Sequence, residues 1–309
     1  MSLRIEPLHP DFVATVSGVD LSKPLDKATV REIEEAIYKY AVLVFHDQPL
    51  TQDQLVDYAA NFGPLNTGLQ KLLGNKVQDR LKNDAITDVS NVDASGQKAA
   101  KRHAMSQSTV GNRFWHSDAS YEHHPFHYSF LAAVTAVKYR GHTQFADARA
   151  AYDNLDEKTK ELIKDKIITS WSHNTRHWLG IEDTEQSLRT YPPVRWPMVR
   201  VHPKSGRKVL WCDSKVFEVS GMELWEGRAL AHEMIEHTGQ REHVYSHAWK
   251  PNDLIMYDNR SVYHRGQRFD DSERREMRRC ATVDMESSSL GEVALVDKML
   301  GEKLRSGLD

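Results

Sequence analysis

The stretch Asn112-Arg113-Phe114-Trp115-His116-Ser117-Asp118-Ala119-Ser120-Tyr121 decides how the rest of the chain is read. At its centre, His116 and Asp118 stand two residues apart. On an extended strand such residues point the same way, so an imidazole and a carboxylate can converge on one cation. A single His-x-Asp in a chain with 16 histidines is weak evidence. A second copy, His9-Pro10-Asp11, carries a proline that disfavours a regular paired strand. A third candidate ligand, His264, stands far downstream at the end of Met256-Tyr257-Asp258-Asn259-Arg260-Ser261-Val262-Tyr263-His264. Two imidazoles and one carboxylate, with other positions open, make the facial set of non-haem Fe(II) sites.

Working outward, the 309 residues suffice for a sizeable core and fit one large domain or two small ones. The composition, 39% hydrophobic and 28% charged, is that of an ordinary soluble globular protein. A net charge of −3 gives no reason to expect nucleic acid or an anionic membrane as partner. Two cysteines, Cys212 and Cys280, cannot build a disulfide framework, so a reducing cytoplasm is expected. No apolar run approaches the roughly 20 residues needed to span a bilayer, and the first residues lack the apolar centre of a signal peptide.

Residues 13–21 read as a strand broken near Gly18. Asp26 caps a helix with Val30, Ile33, Ile37 and Tyr40 on one stripe. The apolar run Ala41-Val42-Leu43-Val44-Phe45 is a buried strand. Thr51-Gln52-Asp53-Gln54 is a capping box that opens a second helix, ended by Gly63. From 66 to 111 the periodicity fades into a long loop, with a short strand over 86–92; loops of this length are commonly lids or binding loops. Strands follow over 128–134 and 141–147, a helix over 148–163, and a hairpin around Pro203-Lys204-Ser205-Gly206-Arg207. A helix over 223–237 and strands over 244–249, 253–258 and 274–284 complete the body. Strands in the second half with helices at the start suit an α+β protein with a double-stranded β-helix (jelly-roll) core and flanking helices. The whole of 1–309 is expected to form one domain. Its tail, 285–309, is expected to be an amphipathic helix on the body or on a neighbouring subunit, which leaves a homo-oligomer, dimer or higher, open.

An Fe(II) site needs an electron source to activate O2, and a chelating 2-oxoacid supplies one. The distal carboxylate of 2-oxoglutarate then needs a cation and a hydroxyl. Thr143, on a strand after the metal stretch, and Arg275, after His264, provide both. Arg279, four residues on along the same face, is left to hold an anionic substrate through its planar fork. Taken singly, each has a plainer role: the arginines could pair with Asp270, Asp271 and Glu273, and Thr143 could be an ordinary strand former. Other patterns fail. His232 and His237 are five apart where a zincin helix needs four. There is no Gly-rich phosphate loop, no Gly-x-Ser-x-Gly elbow and no aromatic-interleaved basic patch. His123, His124 and His127 read as solvated or structural.

The motifs Gly18-Val19-Asp20-Leu21, Val42-Leu43-Val44-Phe45, Phe62-Gly63-Pro64-Leu65, Trp115-His116-Ser117-Asp118, Thr143-Gln144-Phe145-Ala146-Asp147-Ala148-Arg149, Asp258-Asn259-Arg260 and His264-Arg265-Gly266 run through nearly the whole chain. Together they resemble the TauD/TfdA group of Fe(II)/2-oxoglutarate dioxygenases, within it the 2,4-dichlorophenoxyacetate dioxygenase type. The resemblance implies His116, Asp118 and His264 as iron ligands, and Thr143 with Arg275 as the grip on 2-oxoglutarate. It implies Arg279, Lys71, Ser120 and Asn112 as residues around the substrate. It also implies hydroxylation of a small anionic organic acid, with O2 and 2-oxoglutarate consumed and succinate and CO2 released. On an aryl ether the product would collapse to a phenol and glyoxylate. Two departures stand out: Arg140-Gly141 replaces a Gly-Gly pair, and Gln97 stands where a second pocket lysine would be expected. A sulfonate, an amino-acid-derived or another natural acid is the alternative substrate. A metal-binding β-barrel without oxidase chemistry is the alternative from another class.

Overall fold

The computed structural model describes residues 3–67, 81, 83–93, 95–99, 110–181 and 184–293. Lys71 and the residues beyond 293 lie outside that set. Among the described residues no helix is long and apolar enough to cross a membrane.

The helix Lys27–Tyr40 starts where Asp26 accepts a hydrogen bond from the Thr29 N–H at 2.8 Å, which satisfies an otherwise orphaned donor. It ends at Ala41, held at a left-handed φ of 60°. The helix Gln52–Ala60 opens on the capping box, with Thr51 and Gln54 bonding reciprocally. Both lie on one face of a seven-stranded sheet. Its order is Arg4–His9, Val13–Ser17, Val42–Phe45, Leu254–Asp258, Phe126–Thr135, Glu276–Val283 and Ile86–Asp88. The edge strand Arg4–His9 is an addition to the sequence reading.

Period-two alternation divides this sheet. Leu43, Phe45, Phe130, Leu254 and Met256 face the helices and pack with Ile33, Ile37, Leu55, Tyr58 and Phe62. Val42, Val44, Leu131, Ile255, Tyr257 and Met277 face the other way, where Phe145 and Val262 meet them. Full burial of a side chain such as Phe45 or Phe130 contributes about 1.5–3 kcal/mol, and burial on both faces explains the unbroken apolar run over 41–45. Phe145 and Val262 belong to a second sheet, ordered Val244–His247, Thr143–Asp147, Val262–Gly266. The architecture is therefore mixed α/β, with these two helices covering one face of the large sheet and the longer helix Leu224–Thr238 packing on the strand Val216–Val219 elsewhere.

The expected helix over 148–163 is two, Ala148–Asp153 and Glu157–Ile163. Asp156 breaks it by accepting from the N–H groups of Lys158 and Thr159, a capping role that a short carboxylate fills better than a helix interior. The segment 285–293 is not helical; Glu292 instead bridges to Val194. At the Arg140-Gly141 departure both residues take positive φ, 62° and 65°. Only the glycine is obligatory there, since a Cβ on Gly141 would lie 2.5 Å from the Val137 side chain.

Candidate active site

His116 pairs with His264 in an isolated antiparallel bridge. The strand Val262–Gly266 in turn pairs with Thr143–Asp147, placing His264 opposite Phe145 and Gly266 opposite Thr143. From sequence alone, Asp118 shares an extended strand with His116. Instead the chain turns after His116, with Ala119 at φ 57°. Asn259 builds that turn. Its Oδ1 accepts from the Asp118 N–H at 3.2 Å, its carbonyl accepts from the Ser117 hydroxyl at 2.8 Å, and its Nδ2 donates to Ser129 at 3.0 Å. The result is convergence: one candidate ligand atom each from His116, Asp118 and His264 lies within 4.8 Å of the others, and all three residues are buried.

The electrostatics suit cation binding. Burial, reinforced by the neighbouring His264, pushes the His116 imidazole down to about 3, so it stays neutral and lone-pair-bearing. Its Nδ1 lies 2.8 Å from the Phe114 carbonyl, which fixes the proton on Nδ1 and leaves Nε2 for a metal. Burial also lowers His264, whose Nδ1 has no partner among the described residues. Burial alone would raise the Asp118 carboxyl, but Arg279, then His264 and His116, hold it well below the usual carboxylate range. Its Oδ2 accepts from Ser129 at 2.8 Å and from the Tyr257 hydroxyl at 2.9 Å, and its Oδ1 accepts from Arg279 Nη1.

A cavity open to solvent is lined by His116, His264, Thr143, Arg275, Arg279 and Asn112, among others. The geometry thus gathers six of the nine residues singled out in the sequence onto one wall, with Asp118 bonded to that wall through Arg279. Arg275 stands just before the strand Glu276–Val283, and burial lowers its guanidinium to about 10, still charged at neutral pH. No hydrogen bond or ion pair engages that guanidinium among the described residues; it stands over the Phe269 ring, 5.6 Å from its centroid, and a half-buried cation beside an open cavity calls for an anion. Among the described residues Asp270, Asp271 and Glu273 form no ion pair with the arginines: Arg274 pairs with Glu276 at 2.7 Å and Arg279 with Asp118. Ser120 directs its hydroxyl to Asp213 at 2.8 Å. Gln97 is exposed in a turn closed by Asp93. Lys71 is outside the described residues.

Sequence reasoning passed over several residues that build the site: Tyr257, Ser129, Asn259 and Trp249. Tyr257 was legible in principle, because it alternates with Ile255 on the strand leading to His264. Trp249, whose indole N–H donates to the Thr143 hydroxyl at 2.9 Å, carried no spacing signal.

Residues 4–281 match the family described as Taurine catabolism dioxygenase TauD, TfdA family. The chain is 42% identical over 285 residues to the alpha-ketoglutarate-dependent 2,4-dichlorophenoxyacetate dioxygenase of Cupriavidus pinatubonensis, covering 92% of this chain and 99% of that one. It is 32% identical over 280 residues to the (S)-phenoxypropionate/alpha-ketoglutarate-dioxygenase of Sphingobium herbicidovorans, covering 88% and 92% respectively. The crystal structure of AAD-2 in complex with Mn(II) and N-oxalylglycine matches with a TM-score of 0.85 at 39% identity, over 93% of this chain and 99% of that one. A shared fold, a convergent His-Asp-His set and a match over nearly its whole length place one conclusion beyond the others: this chain belongs to the TauD/TfdA family of dioxygenases.

Proposed function

We propose that the protein is an Fe(II)- and 2-oxoglutarate-dependent dioxygenase that hydroxylates an aryloxyalkanoate at the carbon bearing the ether oxygen. The observation that carries this reading is a single cavity lined by two candidate imidazole ligands, a half-buried arginine without an ion-pair partner among the described residues and a threonine hydroxyl. The donor set fits a ferrous ion: two imidazoles that burial keeps neutral and one ionised carboxylate, with His264 Nε2 3.9 Å from Asp118 Oδ2. His116, Asp118 and His264 would hold the metal. When bound there, it supplies O2 activation coupled to decarboxylation of 2-oxoglutarate to succinate.

The remaining work belongs to the chain. Arg275 and Thr143 would grip the distal carboxylate of 2-oxoglutarate, the arginine gaining the counter-ion it lacks. Arg279 has five donors, commits Nη1 to Asp118 and lines the cavity. Its remaining guanidinium donors on the cavity side would hold the substrate's acid group, with Asn112 at the cavity wall and with Ser120 and Lys71 as further substrate residues, so that one C–H bond is presented to the metal side. Hydroxylated there, an aryl ether becomes a hemiacetal that falls apart to a phenol and glyoxylate. The relatives that carry aryloxy acids in their names favour this substrate class over sulfonates. We read the two facing sheets as the double-stranded β-helix of a single domain. The two free, buried cysteines support a cytoplasmic setting.

The test is O2 uptake and succinate formation with Fe(II) and 2-oxoglutarate across aryloxyacetates, aryloxypropionates, taurine and N-substituted amino acids. Phenol release from the aryloxy acids is the expected result. Turnover confined to taurine or to the amino acids would overturn the substrate class.

A further inference from the structure

Resting on that reading of the 2-oxoglutarate site, we infer that Trp249 is a positioning residue that aims the Thr143 hydroxyl. The Trp249 indole Nε1 donates to Thr143 Oγ1 at 2.9 Å. An indole N–H can only donate, so it occupies one lone pair of the hydroxyl and repels its proton. The Thr143 O–H is thereby turned away from Trp249. Thr143 itself is buried on the cavity wall that Arg275 shares, so the ligand space is where its proton finds an acceptor. A hydroxyl so poised is a donor, matched to a carboxylate and mismatched to an amide N–H at the far end of the oxoacid.

The indole is held in place by a chain of contacts reaching the protein surface. Its ring meets that of His247 edge-on, at 4.7 Å between centroids. His247 sits directly opposite Thr143 in the pairing of Val244–His247 with Thr143–Asp147. The His247 Nε2 lies 3.0 Å from Asp253 Oδ2, and its Nδ1 lies 3.3 Å from the Tyr245 hydroxyl. Asp253, itself buried, also engages His46 Nδ1 at 2.7 Å and accepts from the Lys250 N–H at 2.9 Å. Each ring is fixed by the next, so the orientation of one hydroxyl at the site is set by residues that never touch the ligand.

The test is a double-mutant cycle of Trp249→Phe and Thr143→Val. It is read by calorimetric titration of 2-oxoglutarate into the Mn(II)-loaded protein without O2, alongside the oxoacid's KM in turnover. Phenylalanine keeps the ring packing on His247 and deletes only the donor. The expected result is a loss of 2-oxoglutarate affinity of about three- to tenfold, the range of one neutral hydrogen bond. Mn(II) affinity and the aryloxy-acid KM are expected to hold, and Trp249→Phe should have no added effect in the Thr143→Val background. Unchanged affinity in Trp249→Phe, or an equal loss in both backgrounds, would overturn the positioning role alone. Failure of the Mn(II)-loaded wild-type protein to bind 2-oxoglutarate would overturn the site reading and this inference together.

Discussion

The backbones of His116 and His264 exchange a reciprocal pair of hydrogen bonds, His116 N–H donating to His264 at 3.1 Å and His264 N–H donating to His116 at 2.9 Å. Ring centroids 4.2 Å apart follow from that pairing. The spacing of the two imidazoles is therefore set by main-chain geometry before any cation arrives, and little reorganisation opposes binding. His264→Gln is expected to leave the bridge intact and to weaken Mn(II) binding by more than the 10–100-fold typical of outer-sphere changes. At a metal concentration of 100 Kd the wild-type protein should gain about 2.7 kcal/mol of stability. The variant should gain almost none at the same concentration. Calorimetric titration and thermal melts with and without Mn(II) check both; equal metal-induced stabilisation in the variant would remove His264 from the metal set.

Arg279 faces two tasks, neutralising Asp118 and holding a substrate acid, and one substitution separates them. Arg279→Gln keeps a donor near Asp118 but removes the charge. The aryloxy-acid KM should rise at least about tenfold, as for the loss of a charge-assisted hydrogen bond worth roughly 1.5–3 kcal/mol. The oxoacid KM should move much less, because Arg275 remains. Steady-state kinetics on both substrates decide it, and an unmoved aryloxy-acid KM would take Arg279 out of the substrate clamp.

Much of this arrangement was legible because it rests on side-chain type and alternation. The stripe Ile33, Ile37, Tyr40 and the run over 42–45 specified helix and buried strand without help from tertiary structure. His116, His264, Thr143, Arg275 and Arg279 fell on one cavity because strand periodicity and chain order carry that information. What was not legible depended on contacts between remote segments. The turn at Asp118 exists because Asn259 supplies its bonds, and no local pattern in His-Ser-Asp announces a residue so far away. The break in the helix over 148–163 was locally encoded by Asp156 but masked by the apolar periodicity around it.

Glu122 gives the fold a pH dependence. Burial raises its carboxyl to about 7, against a smaller opposing pull from Arg279, and its Oε1 has no partner among the described residues. A carboxyl whose folded value lies above its unfolded value of about 4.3 stabilises the fold fully below that unfolded value. The contribution is lost as pH rises through about 7. The wild-type protein should therefore lose on the order of 1–3 kcal/mol between pH 4.5 and pH 8 from this group. Glu122→Gln should flatten that slope and be the more stable variant at pH 8. Urea unfolding at both pH values measures it, and parallel pH profiles for the two proteins would refute the assignment.

Arg275 lies outside the regular ladder, and the strand Glu276–Val283 begins with a register shift at Glu276. Asn91 holds its backbone instead. The Asn91 N–H donates to the Arg275 carbonyl at 3.1 Å, and Asn91 Oδ1 accepts from the Arg275 N–H at 2.8 Å. Asn91 Nδ2 donates to the Glu273 carbonyl at 2.8 Å. One side chain thus supplies both an acceptor and a donor to the segment that aims the unpaired guanidinium. Asn91→Ala removes both and should weaken 2-oxoglutarate binding, read as its KM, by about three- to tenfold while lowering stability by about 1–3 kcal/mol. Asn91→Asp keeps the acceptor for Arg275 and loses only the donor to Glu273. If orientation of Arg275 is what Asn91 provides, the aspartate variant must retain most of the 2-oxoglutarate affinity that alanine forfeits; if the two variants fall together, Asn91 serves the loop and not the arginine.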